Sequence, residues 1–149
     1  MAQNDMIIFS QFKVDLGLGL HDLNTDAFLV AYVDDTITPT AATADPRWGA
    51  GGTVNFSTNE GSGGNFPTGG TDITTTYAAS GADAKYDGTT NLAYAIDPSN
   101  PADSRWAICY NNTDAGKRCV FAIDLGAVAD GQAGAVNITW NASGLFTVA

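Results

Sequence analysis

The sequence is short of the residue types from which reactive sites are usually built: one histidine, two cysteines and six basic residues in 149 positions. A closed zinc site takes four ligands, and His21, Cys109 and Cys119 neither reach that number nor fall into a metal-binding spacing. Six Lys and Arg stand against 16 Asp and Glu, and the formal net charge of -10 repels phosphate backbones and anionic lipid heads. Nucleic acid and membrane are therefore not expected as partners. No run approaches the ~20 apolar residues of a membrane span. The opening MAQNDMIIFSQFKVD lacks the basic n-region and long apolar core of a secretory signal, so synthesis in the cytoplasm is expected. The acidity has two readings, plain solubility or a specifically acidic exterior, and composition alone does not separate them.

What is present is the material of a turn-rich β protein. Hydrophobic residues make up 44% and charged residues 15%, with 17 glycines between short apolar runs. A mainly β fold is expected: an antiparallel β-sandwich or flattened barrel with one short N-terminal helix, forming one domain over 1–149 with 1–9 as an arm. The helix is placed by Phe9, Phe12, Leu16 and Leu20 at three- and four-residue intervals, with Ser10 as N-cap and Gly19 as stop. The run AFLVAYV over Ala27–Val33 is apolar on both alternations and predicts a central strand covered on both faces. Val54 and Phe56 alternate as in a strand. The glycine-rich Asn59–Gly70 predicts a mobile loop, and Leu92, Tyr94 and Ile96 are expected to share one face.

The clearest local signal is RWAICYNNTDAGKRCVFAIDLG, two apolar runs around a turn rich in Asn, Asp and Gly, which predicts a β-hairpin. The last strand, AVNITW, carries Val136, Ile138 and Trp140 on one face. The expected core is Phe28, Val30, Tyr32, Trp106, Ile108, Phe121, Ile123, Val136, Ile138 and Trp140. Pleat parity sets Trp106, Ile108 and Tyr110 beside Cys119, Phe121 and Ile123, with Cys109 on the opposite face, so Cys109 and Cys119 are expected to stay thiols rather than cross-link.

The search for chemistry returns little. His21, with Asp22 or Asp26 to orient it, is the one candidate imidazole base, and no nucleophile-elbow pattern accompanies it, so a polar helix terminus is the favoured reading. Asp34, Asp35, Asp45, Asp83 and Asp87 are not in calcium-loop register and read as solvated turn carboxylates. GSGGNFPTGG is followed by no Lys-Ser or Lys-Thr and reads as a loop rather than a phosphate cradle. No catalytic residue, cofactor or metal is expected.

The order helix, FLVAYV strand, GNFPTGG, SRWAICYNNTDAGKRCVFAIDLG and NITWNASGLFTVA resembles a family of small tailed-phage structural proteins. The likeness is most specific in the C-terminal half, where Arg105–Ala107 and Trp140–Phe146 match family elements, and it is lost over Thr36–Gly64. Members are described as capsid decoration, cement or minor structural proteins. The resemblance therefore implies a virion protein, made in the host cytoplasm, and no catalytic residue.

Three functions compete on this footing. The first is a head decoration protein that binds the major capsid protein, most simply as a homotrimer at threefold positions. Its candidate contact is the apolar arm Met6, Ile7, Ile8 and Phe9, which alternatively serves as an edge strand on the domain's own core. The second is a minor tail or tail-fibre component. The third is a carbohydrate-binding module with Trp48, Trp106 and Tyr94 as stacking platforms, against which two of these aromatics fall in core-phased runs.

Overall fold

The computed structural model describes residues 5–148. Its elements run β1 (Met6–Ile8), α1 (Ser10–Gly17), β2 (Phe28–Val33), β3 (Pro46–Arg47), β4 (Val54–Asn55), a 3-10 turn (Phe56–Asn59), β5 (Thr71–Asp72) and β6 (Thr75–Ser80). They continue through β7 (Asp83–Gly88), β8 (Leu92–Tyr94), β9 (Ser104–Asn111), β10 (Cys119–Ala129), β11 (Val136–Ile138) and β12 (Phe146–Val148). The fold is mainly β, with antiparallel sheets and one short helix near the N-terminus, as expected. The principal sheet has the order β1-β10-β9-β2-β5, a second has β12-β7-β6, and β11 pairs with β8. The two-residue β3 and β4 pair in parallel.

The β9–β10 hairpin is the centre of the principal sheet, because both strands are apolar on both alternations and can be covered from both sides. The run read as central, β2, lies one strand further out, between β9 and the two-residue β5. The expected facing within the hairpin holds only in part. Tyr110 pairs with Cys119, but the next partner of Cys109 is Phe121, so β10 bulges around Val120 and its later residues change face. Phe121 and Ile123 thus share a face with Cys109 and Ala107, not with Ile108 and Trp106. Both faces are buried, so the reversal strands no apolar group in water. Cys109 and Cys119 are free thiols on opposite faces.

Gly19 ends α1 as expected. Its φ of 71° lets the Gly19 and Leu20 N–H groups turn back to the Leu16 and Asp15 carbonyls. The N-terminal cap differs: Ser10 is the first helical residue, and Phe9, in extended backbone, holds the cap position without a side-chain bond. Leu20 is exposed rather than part of the buried stripe. Val54–Ser57 is only briefly a strand, because the Asn55 side chain accepts from Ser57 N–H at 3.0 Å and folds the chain into the 3-10 turn. Ile96 is exposed, since Asp97 caps a turn immediately after β8.

The Asn59–Gly70 loop is pinned rather than loose. Phe66 is buried 5.0 Å from the Tyr32 ring and 4.3 Å from that of Tyr94, and Glu60 Oε1 accepts from Gly69 N–H. Asn100, also buried, accepts from Asn65 N–H and donates to the carbonyls of Ala95 and Gly131. One apolar core collects residues from every sheet, including the expected Phe28, Val30, Tyr32, Trp106, Ile108, Phe121, Ile123, Val136 and Ile138. Trp140 departs from that expectation: β11 ends at Ile138, and the indole is half-buried at the rim of the core.

Candidate functional site

The apolar arm belongs to the domain. Met6, Ile7 and Ile8 pair with Ile123, Ala122 and Phe121 of β10, and Phe9 N–H extends the ladder to the Val120 carbonyl. Ile7 and Phe9 are buried, the Phe9 ring lying 5.9 Å from Phe56, while Met6 and Ile8 are half-buried. Of the four residues expected to contact a partner, Met6–Ile8 thus form an edge strand and Phe9 holds the buried cap position of α1, the alternative weighed from the sequence rather than a free anchor. The first four positions of the arm lie outside the described residues. A strand at a sheet edge leaves a row of backbone groups available for pairing, and among the described residues no strand pairs with the outer edge of β1.

Two cavities flank β1. One, of about 500 Å³, is lined by Met6, Ile123, Asn137, Thr139, Trp140 and Asn141 among others. The second, of about 310 Å³, is mainly apolar and lies among Ile8, Phe12, Leu16, Phe146 and Val148, with Lys13 at its side. Val14, Leu18 and Leu20 project from the neighbouring helix and its end into solvent.

His21 is buried, not a solvent-facing helix terminus. Its ring packs 5.1 Å from Phe12, and its Nδ1 lies 3.1 Å from the Asn111 side-chain amide. The orientation of that amide is fixed from behind: Asn111 Oδ1 accepts from the backbone N–H groups of Thr113 and Asp114, so its NH2 faces His21 and Asp26. The imidazole Nδ1 is therefore an acceptor, and the proton of the neutral ring sits on Nε2, which has no partner among the described residues. Burial pushes the imidazole pKa down, against the opposing pull of the Asp15 and Asp114 carboxylates. With its one lone pair occupied by Asn111, this ring has none free to act as a general base. Asp22 turns back on its own loop, accepting from Asn24 and Thr25, and Asp26 reaches Asn111 rather than the ring. Asn111, which the sequence did not single out, orients the histidine.

Three of the remaining carboxylates are also tied into the fold. Asp34 accepts from Thr36 N–H, Asp45 pairs with Arg47, and Asp87 pairs with Lys85. No group of three His, Cys, Asp or Glu side chains able to hold a metal forms among the described residues. Trp48 stacks flat on Tyr110 with ring centroids 5.2 Å apart, and Trp48, Trp106 and Tyr94 are all buried, so none offers a free face to a sugar. Beneath Trp106, Arg105 pairs with the buried Asp124, whose carboxyl the guanidinium holds below the usual range. Among the described residues no helix is long and apolar enough to cross a membrane. Comparison of the chain with protein-family models, with curated proteins and with solved structures returns no match.

Proposed function

We propose that this chain is a virion structural protein of a tailed phage, a head decoration protein that binds the major capsid protein and self-associates as a homotrimer. The observation that carries the reading is the use to which the family-like segments are put. GNFPTGG buries Phe66 against Tyr32 and Tyr94, Arg105 of β9 pairs with Asp124 of β10 across the hairpin, and Trp140–Phe146 closes the core with half-buried side chains. The residues through which the chain resembles that family build framework, as a protein selected for mechanical reinforcement requires. With Ile7 and Phe9 occupied inside the domain, the lattice contact falls to the open edge of β1, by strand addition, and to the exposed Val14, Leu18 and Leu20 beside it.

The test is sedimentation of the purified protein with undecorated heads and, separately, with isolated tails. Saturable binding to heads, lost in a Val14→Asp/Leu18→Asp double variant that still folds, is the expected result. Binding to tails alone would make it a minor tail or tail-fibre component, and undiminished binding by the double variant would move the contact off the helix. Light scattering of the free protein reads the trimer.

A further inference from the structure

The larger cavity beside β1 has a composition that framework does not explain. Beside the apolar Ile123, Ile138 and Leu145, its wall carries one indole, from Trp140, and the polar residues Asn137, Thr139 and Asn141, and no charged residue lines it. Asn137, Thr139 and Asn141 are exposed, whereas Ile138, which also borders the cavity, is buried. Asn137 and Thr139 can both donate and accept, and Asn141, whose Oδ1 already accepts from Ser143 N–H at 2.8 Å, keeps its NH2 to donate, which suits a ligand rich in hydroxyl groups.

Trp140 is held as a fixed platform in this wall. Its indole N–H donates to the Thr90 carbonyl at 2.7 Å and its backbone N–H to Asn91 Oδ1 at 3.1 Å. Gly88 lies against the five-membered part of the ring, where a Cβ would stand 2.9 Å from Nε1 and 3.1 Å from Cε2, so any larger residue would displace the indole. The ring is only half-buried despite these three restraints. A rigid aromatic surface bordered by uncharged polar groups in a concave site is how proteins bind small polar ligands that present an apolar face. Restraint in the free protein removes the ordering penalty on binding.

We infer that this cavity is a binding site for an uncharged saccharide, one sugar ring lying against Trp140 and its hydroxyls reaching Asn137, Thr139 and Asn141. The site borders β1, whose open edge carries part of the proposed lattice contact, but its polar groups come from Asn137 to Asn141, which that contact does not use, and it adds a second adhesive function. The net charge of -10 selects against anionic glycans.

The test titrates the intact protein with maltohexaose, cellohexaose and chitohexaose, with a heparin hexasaccharide as the anionic control, by calorimetry and tryptophan fluorescence. Since Trp48 and Trp106 are buried, a fluorescence change on binding reports Trp140. Saturable binding of at least one neutral hexaose with a Kd near or below about 1 mM, and not of heparin, is expected. Trp140→Ala should weaken it roughly tenfold or more. Asn137→Ala, which removes an exposed side chain, should also weaken it while circular dichroism stays unchanged. No binding by any neutral member, or equal binding by the folded Asn137→Ala and Trp140→Ala variants, overturns the proposal.

Discussion

In the principal sheet β9 is buried along nearly its whole length, whereas in the second sheet β6 buries no side chain fully and exposes four of its six residues. The difference follows from composition. SRWAICYN has bulky apolar groups for both faces, but TTYAAS has one aromatic and otherwise small or hydroxylated side chains. The second sheet is tied to the core largely through β7 and β12, where the Tyr86 ring lies 5.5 Å from Phe28 and the Phe146 ring 5.6 Å from Phe12. Stability is therefore expected to be unevenly distributed, with β6 opening at a lower free energy than the hairpin.

The largest effects should come from the anchors of each sheet. Phe121→Ala and Tyr86→Ala remove fully buried rings, and each should destabilise by about 3–5 kcal/mol in urea unfolding. If Tyr86→Ala left the midpoint unchanged, the second sheet would not be docked through this ring. Next comes Arg105→Ala, which leaves the buried Asp124 without its cation and should cost about 3 kcal/mol. Because the folded-state pKa of Asp124 is depressed, its contribution is present above the ordinary carboxylate value and is lost as pH falls through the lowered one. The variant's acid unfolding curve should lack that loss.

Trp140→Ala should cost only about 1.5–2.5 kcal/mol, half the penalty of a fully buried ring, since the indole sits at the rim. A loss above about 4 kcal/mol would return it to the core. His21 gives a smaller, pH-dependent effect. Its folded-state pKa lies below the ordinary 6.5, so the unfolded chain takes up the proton first. Its contribution is complete above about 6.5 and is lost as pH falls from there toward the folded-state value. Thermal melts from pH 7.5 to 5 should show this slope, and His21→Leu should flatten it. Smallest of all, Thr76→Ala on the exposed face of β6 should stay within about 0.5 kcal/mol. A larger cost would mean that this face is covered in solution.

The hairpin was legible because its signal is local, two apolar runs around a polar turn, although the positive φ of 50° falls on Lys117 rather than on the Asn, Asp or Gly of that turn. Gly19 was legible for the same reason. What escaped was set by partners distant in sequence. Nothing in MIIF tells whether its partner is another chain or β10, more than a hundred residues on. Asn100 and Asn111 look like ordinary turn asparagines, yet each holds loops together from a buried position. The bulge at Val120 shifts register without any proline or glycine to mark it. The candidate cavity was hidden too, because assigning Trp140 to the core by continuing the Val136 and Ile138 phase runs past the residue where β11 ends.

The two cysteines give the molecule a built-in clock. Burial pushes both thiols well above their ordinary pKa, and neither sulfur is accessible in the folded chain. They sit on the two central strands and on opposite faces, so an alkylating reagent reaches either one only after β9 or β10 has opened. The rate of thiol labelling in the unmodified protein thus measures the lifetime of the whole framework. If the proposed lattice contact forms, slower labelling in the particle than in the free chain would report how much that contact holds the fold closed.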